Sequence, residues 1–444
     1  MKIVVAPAKE TWPQLLQRPY TDNASVLATV QTIAQKIKAE GDTALYYFIK
    51  KLDGADLNTL KVSEEEIKKA DREVSDSLKK AIQQAAKNIT RFHEAQLGKV
   101  GTIETMPGVQ CWRKNVGIEK VGLYIPGGTA PLFSSVLMLA IPAQLAGCKE
   151  IILCTPAHNE GTIHPTILYA AQLTGVTQIF KIGGAQAIAA MAYGTETVPK
   201  VYKIFGPGNQ YVTAAKQWVQ MEGVAIDMPA GPSEVCVLAD DTAEPAYVAA
   251  DLLSQAEHGV DSQVLLVSCD KLIVSRIAEE MEKQLKQLPR KEIAEKALAN
   301  STAIVVDDIE TGIAIVNEYA AEHLILSCKN AEAVAEKITN AGSVFIGNYS
   351  PESVGDYASG TNHVLPTNGF ARAYNGVSID SFVKKITYQK LSKAGLENIA
   401  DTVIEMAEAE GLQAHAEAVR KRLQPHPRPL SIEDGKGRAT AQNQ

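Results

Sequence analysis

The chain has 444 residues, 45% of them hydrophobic and 21% charged, and a formal net charge of −7 at pH 7. That length exceeds what one ordinary core organises, so two or three domains are expected, and the acidic balance argues against nucleic acid or an anionic membrane as the main partner. No run approaches the ~20 apolar residues of a membrane span, and the apolar stretch in MKIVVAPAKETW is too short for a signal peptide, so a cytoplasmic protein is expected.

Residues 24–98 read as helical: Val26, Leu27, Val30, Ile33, Ala34 and Ile37 keep a 3.6-residue period. Asp42 is placed to cap a helix over 44–52, and Ser63 with Glu66 forms a capping-box pattern ahead of one long amphipathic helix ending near His93. Beyond residue 117, short apolar runs alternate with helix-length segments: VGLYIP then 132–146, EIILCT then 166–173, QIFKI then 185–192, VYKIF then 210–219. A second series follows: EVCVLA then 246–258, SQVLLVS then 272–285, TAIVVD then 309–321, HLILS then 331–341, and SVFIG. That rhythm predicts parallel, doubly wound sheets, and two series of similar length hint at an internal duplication. Residues 390–424 return to helix, with Ile399, Val403, Met406, His415 and Val419 at periodic positions. The tail PHPRPLSIEDGKGRATAQNQ lacks apolar residues to pack. The six cysteines show no CxxC; Cys148, Cys154, Cys236 and Cys269, in or beside apolar runs, read as small core residues of a reducing compartment.

Glycine-rich turns follow three strands of the first series: Pro126-Gly127-Gly128, Gly183-Gly184 and Gly206-Pro207-Gly208. Such turns let a ligand approach main-chain N–H groups at the next helix, but they also serve any α/β fold as plain βα turns, and none reads GxGxxG. Tyr124, Gln186 and Asn209 beside them could bind the ribose or amide groups of a nucleotide. Four of the eight histidines, His258, His323, His363 and His415, lie in acid- or amide-flanked strings (SQAEHG, AEHLIL, GDYASGTNH, GLQAHAE). Spread over about 160 residues, they suggest one composite site that assembles on folding. Gln255 and His258 share an i, i+3 face near a helix end, as metal ligands or as a histidine that complements the helix dipole. Asp356 and His363 sit in a Gly/Ser/Thr/Asn-rich loop, and Glu410 and His415 on the last long helix. Nitrogen and oxygen ligands without sulfur would suit a catalytic zinc. Glu322-His323, at the start of a strand, reads equally as a solvated pair or as a general base with a water activator.

Taken together, VGLYIPGGTAPL, FGPGNQYV, AIDMPAGPSEV, DLLSQAEHG, EHLI, AGSVFIG and SPESVGDYASGTNHVLPT resemble the histidinol dehydrogenases over roughly residues 8–424. The resemblance implies an α/β enzyme of two Rossmann-like parallel-sheet domains with helical N- and C-terminal extensions. Its parts would be an arm over 1–21, a larger discontinuous catalytic domain over 22–123 and 233–377, a nucleotide-contacting domain over 124–232, a dimerisation region over 378–424 and a tail over 425–444. It implies one Zn2+ per subunit on Gln255, His258, Asp356 and His415, and NAD contacts at Tyr124, Gln186 and Asn209. Substrate contacts would be Ser233, His363 and Glu410, with His323 and the metal ligands; His323 would be the base and Glu322 the water activator. Ala321 stands where the family usually has Pro, and the polar tail lies outside the resemblance.

The implied reaction takes L-histidinol to L-histidine through the aldehyde, in a homodimer whose C-terminal helices complete the partner's site. Metal ligation of substrate ring and amine would hold the alcohol carbon for hydride transfer. No cysteine lies in a convincing nucleophile setting, which argues against a thioester route. Two other readings stay open: a zinc-dependent hydrolase on the same scaffold, which would need no NAD, and a non-catalytic sensor, which has no use for Glu322-His323.

Overall fold

In this computed structural model the described residues are 1–18, 23–98, 101–127, 130–158, 160–229 and 231–424; the expected unpacked tail and part of the N-terminal arm lie outside them. The chain divides into two compact units, one of 1–98 with 116–384 and one of 99–115 with the segment from 385 onward.

Fourteen strands are formed among the described residues. They are β1 (Lys2–Val5), β2 (Ile103–Met106), β3 (Val109–Gly117), β4 (Lys120–Tyr124), β5 (Glu150–Thr155), β6 (Gln178–Lys181), β7 (Lys203–Phe205) and β8 (Ala225–Ile226), then β9 (Glu234–Ala239), β10 (Gln263–Ser268), β11 (Thr302–Val305), β12 (His323–Ser327), β13 (Ser343–Ile346) and β14 (Val383–Leu391). In the first unit, one parallel sheet has the order β6-β5-β4-β7-β8 and the other β1-β11-β10-β9-β12-β13. Numbered within each series, both read 3-2-1-4-5, so the rhythm seen in sequence is a repeat of topology, with β1 added as an edge to the second sheet. Strands β9 and β10 are buried along their whole length, which is why they read as unbroken apolar runs rather than alternating ones. The covering helices follow the same logic: Phe133–Leu145 is buried over most of its length, whereas Asp76–Glu94 buries only the stripe Ile82, Ala85, Ile89 and His93.

Several expectations change in detail. The helix announced by Ser63 and Glu66 has its capping box but stops at Glu73; Ser75 then caps a separate helix, Asp76–Glu94. Gly41, not Asp42, is the cap of Asp42–Phe48, and the Asp42 carboxylate instead accepts the Thr197 hydroxyl and backbone N–H. The helix expected over 331–341 is only Ala331–Ala335. A helix at Lys291–Ala299 and a three-stranded sheet of order β14-β3-β2 were not expected. Strand β14 exposes nearly every side chain, so no buried face imposes a pattern on it. In the second unit the segment expected to be helical over 390–424 is two helices, Lys393–Ala409 and Gln413–Leu423.

In an open α/β sheet, ligands bind beyond the carboxyl ends of the strands, where the strand order reverses. In the first sheet that point lies between β4 and β7, beside Tyr124 and the Gly206-Pro207-Gly208 turn. The equivalent crevice in the second sheet is bridged by Asp240, whose carboxylate accepts from the backbone N–H groups of Thr242 (2.9 Å) and Lys329 (2.7 Å). The second sheet instead presents the amino ends of β9 and β12 to the cleft between the sheets, with Glu234, Glu322 and His323 at those ends.

Candidate functional site

At the switch point of the first sheet a cavity of about 570 Å³ is lined by Tyr124, Asp53, Gly184, Gln186, His158 and Asn209, among others. The three residues expected to contact a nucleotide therefore share one cavity. The Tyr124 hydroxyl accepts the Gly184 backbone N–H at 3.0 Å, and burial raises the phenol's proton affinity well above the ordinary value. Gln186 donates through Nε2 to both Asp53 carboxylate oxygens at 3.2 Å, and Asp53 also accepts the Gly183 N–H. Asn209 caps the helix Gln210–Met221, its Oδ1 taking the N–H groups of Tyr211 and Val212. Gly206 has φ +128°, and a Cβ there would meet the Tyr124 carbonyl oxygen at 2.1 Å; the turn closes only around glycine. A buried Lys216–Asp227 ion pair braces it: Lys216 Nζ donates to the Gly206 carbonyl (3.0 Å), and Asp227 accepts the Gly206 N–H (2.8 Å).

A second hollow, of about 260 Å³, runs from Gly208 and Asn209 to Ser233, His258, Glu322 and His363. Glu322 and His323 are both buried, 6% and 3% exposed, so they are not a solvated pair. Strand pairing sets His323 opposite Val235. That register carries Glu322 to the Glu234 N–H, which it accepts at 2.9 Å, and His323 Nδ1 to 3.3 Å from the Glu234 carbonyl. Nδ1 also lies 3.6 Å from Glu322 and 3.9 Å from Glu352, and Nε2 lies 3.4 Å from Asp356 Oδ1. Burial alone would push the imidazole down, but Glu352, Glu322 and Asp356 outweigh it and raise His323 to about 10. Burial pushes the Glu322 carboxyl up to about 8, opposed by His323 and the Glu234 N–H. Glu352 is raised, chiefly by burial, while Asp356 is held low by the neighbouring His323 ring against its own burial.

Asp356 lies on a short helix, Glu352–Tyr357, rather than in the expected loop, so Glu352 and Asp356 stand one turn apart on the same face. Gln255 is on the helix Pro245–Ala256, but that helix ends before His258, which sits exposed in the following turn. Although the residue is open to solvent at its surface, crowding by protein atoms desolvates the His258 ring and holds it below its ordinary value, countered by Asp356, with His323 and His363 acting on it as well. Both ring nitrogens of His363 are engaged: Nδ1 with the Asp356 carbonyl (2.8 Å) and Nε2 with the Ser135 hydroxyl (3.1 Å). Glu410 and His415 are exposed residues of the second unit, and they lie on different helical elements: Glu410 caps Lys393–Ala409 and His415 belongs to Gln413–Leu423.

Among the buried polar atoms with no hydrogen-bond partner are three of the His323 cluster, His323 Nε2, Glu352 Oε2 and Asp356 Oδ1, and both amide atoms of Gln255. Ligand atoms of His323, Glu352 and Asp356 fall within 4.8 Å of one another. Buried donors and acceptors left unmade cost about 1–3 kcal/mol each, so this concentration of them needs a partner that the protein itself does not provide. Oxygen and nitrogen donors without sulfur, crowded with negative charge, fit a divalent cation. Glu352 escapes the sequence reading; its i, i+4 spacing to Asp356 in SPESVGD was the available signal. Arg18, Ser135, Glu234 and Asp53 escape it too, because only the tertiary structure brings them in.

A family model described as histidinol dehydrogenase matches residues 16–423. The chain is 58% identical to a histidinol dehydrogenase of Bacteroides thetaiotaomicron over 423 residues, 95% of this chain and 99% of that one. It is 51% identical to that of Vibrio vulnificus, over 92% of this chain and 95% of the relative. The crystal structure of histidinol dehydrogenase from Elizabethkingia anophelis superimposes with a TM-score of 0.93 at 57% identity, covering 95% of this chain and 98% of that one.

Proposed function

The chain belongs to the histidinol dehydrogenase family, and from that premise we propose that it oxidises L-histidinol to L-histidine through the aldehyde, with NAD+ as acceptor in two successive steps. The reading rests on one observation above the others: the unpartnered buried polar atoms of His323, Glu352 and Asp356 gathered at one point, with the buried amide of Gln255 likewise unpartnered. Gln255, His258 and Asp356, with His415 of the partner subunit, would hold one Zn2+, and Tyr124, Gln186 and Asn209 would hold the nucleotide. When bound, the ion supplies a two-point anchor for the substrate's ring and amino nitrogens, and the nicotinamide accepts hydride. Ser233 and His363 line the hollow where the substrate would lie, and Glu410 of the partner subunit would close it.

His323 takes the hydroxyl proton at Nε2, the ring atom with no hydrogen-bond partner. Its Nδ1–H is directed at the Glu234 carbonyl, which leaves Nε2 the basic nitrogen of the neutral ring. Committing Asp356 to the cation withdraws one of the three carboxylates that keep the imidazole protonated. For the second oxidation Glu322 takes a proton from the water that adds to the aldehyde. A carboxyl pushed up to about 8 is a far stronger base than an ordinary carboxylate, and His323 then serves the hydrate as it served the alcohol. Cys154 and Cys236 are buried and their thiols pushed well up by burial, so neither competes as nucleophile.

The homodimer, the cytoplasmic location and the division into a catalytic domain (22–123, 233–377), a nucleotide domain (124–232) and a dimerisation region (378–424) belong to the same proposal. Among the described residues no helix is long and apolar enough to cross a membrane. A zinc hydrolase would leave the nucleotide cavity without a role. Counting NADH per histidinol consumed tests the reading: two per substrate is expected, and turnover of histidinol without NADH would reject it.

A further inference from the structure

Glu234 opens β9 and is buried at 2% exposure. Its backbone meets both members of the pair proposed to move protons: the N–H donates to Glu322 Oε2 at 2.9 Å, and the carbonyl faces His323 Nδ1 at 3.3 Å. The orientation of both side chains therefore depends on where one peptide group sits. That peptide is fixed from the other side by the Glu234 carboxylate. Its Oε2 accepts from Arg18 Nε (3.2 Å) and Nη2 (2.6 Å), and its Oε1 accepts the Asn368 backbone N–H.

Arg18 is the only cation ion-paired to Glu234 among the described residues, and it reaches there from the N-terminal arm, 216 residues earlier in sequence. It is itself held on three sides. Nη2 also donates to the Tyr319 carbonyl at 2.7 Å, the guanidinium carbon sits 3.9 Å from the Tyr319 ring centroid, and the Tyr319 hydroxyl donates to Gln263 at 2.8 Å. Tyr319 ends the helix whose next residues lead directly into Glu322-His323, so the guanidinium ties the start of β9 to the segment entering β12. A planar, multiply donating group does this; an ammonium would supply the charge without the geometry.

We propose that Arg18 is a positioning residue for the Glu322–His323 pair, acting through the Glu234 peptide, so that this one side chain of the N-terminal arm serves the catalytic pair. This rests on the roles given above to Glu322 and His323. A displaced base loses rate while leaving binding largely intact, since misplacement of about 1 Å costs up to about a hundredfold.

The test compares Arg18→Met, Arg18→Lys and Trp12→Phe with the parent full-length, metal-loaded protein. Trp12→Phe trims a buried side chain of the same segment and leaves every Arg18 contact in place. Expected for Arg18→Met is a kcat lowered by about tenfold or more, with KM for histidinol and NAD within about threefold and partial recovery on adding millimolar guanidinium. Arg18→Lys should fall between, and Trp12→Phe should keep the parent kcat. Independently of turnover, the ring 15N signals of His323, identified by their loss in His323→Asn, should shift in Arg18→Met. Parent-like kcat and an unmoved His323 signal in Arg18→Met would overturn the proposal, as would an equal loss of kcat in Trp12→Phe. If the parent itself fails to oxidise histidinol, the functional reading falls, and the His323 signal alone decides the brace.

Discussion

His323 Nε2 and Asp356 Oδ1 lie 3.4 Å apart, both buried and both without a full hydrogen bond. An imidazole and a carboxylate so placed satisfy each other only through a shared proton. On the proposed ligand set, a cation taken by Asp356 would remove that arrangement and leave the imidazole nitrogen free, which would couple metal occupancy to base strength at one contact.

His323→Asn should slow both oxidations by about 10²–10⁴, whereas Glu322→Gln should impair mainly the step that consumes water. Single-turnover measurements starting from histidinol and from the aldehyde separate the two. Equal losses on both substrates for Glu322→Gln would refute the division of labour.

Removing one ligand should release the metal. His258→Ala and Asp356→Ala are expected to lose most of the bound zinc on dialysis, measured as metal per chain, while Tyr124→Phe retains it. Full occupancy in His258→Ala would take that exposed residue out of the ligand set.

Metal-free protein should lose stability as pH rises. Glu322 goes from an ordinary 4.5 to about 8 on folding, so its contribution is complete below about 4.5 and is lost as pH climbs through 8. His323 goes from 6.5 to about 10, so its contribution is complete below 6.5 and is lost towards 10. Both signs agree. The Tm of chelated protein should fall from pH 5 to 9; Glu322→Gln should flatten the lower part of that fall and His323→Asn the upper. Zinc should restore Tm most at the alkaline end, because it binds the deprotonated site. A Tm of chelated protein that rises with pH through this window in the parent and both variants would contradict the assignment.

Gln186→Ala and Asn209→Ala should raise KM for NAD by about tenfold, the worth of one hydrogen bond, with little change in KM for histidinol. A rise confined to histidinol would move the nucleotide elsewhere.

Shared sites predict that a His415→Ala chain mixed with a His323→Asn chain regains part of the activity that each lacks. No recovery after verified subunit exchange would argue that His415 serves its own chain.

Most of the two parallel sheets could be read in the sequence because buried strands such as EVCVLA and SQVLLVS leave unbroken apolar runs. Strands β2, β3 and β14 could not, since β2 and β14 have no consistently buried face. The break between Glu73 and Asp76 was hidden because the apolar period continues through Ile67, Ala70 and Val74 into the next helix. At the site, Gln255, Asp356, Glu322 and His323 were legible as polar residues in unusual strings, and the structure gathers the charged three around one point. Glu352 did not stand out beside Asp356 in a stretch expected to be a loop; its burial is a tertiary fact. The Arg18–Glu234 pair spans 216 residues, and no local pattern signals it.

The central proposal is that Gln255, His258 and Asp356 would hold a cation to which the substrate's two nitrogens would bind directly. Cobalt-substituted protein tests this most directly, because the visible bands of Co2+ report its ligands. Adding histidinol without NAD should change those bands saturably, and the change should be absent in Asp356→Ala. A cobalt spectrum indifferent to histidinol, in protein that still binds it, would contradict the account.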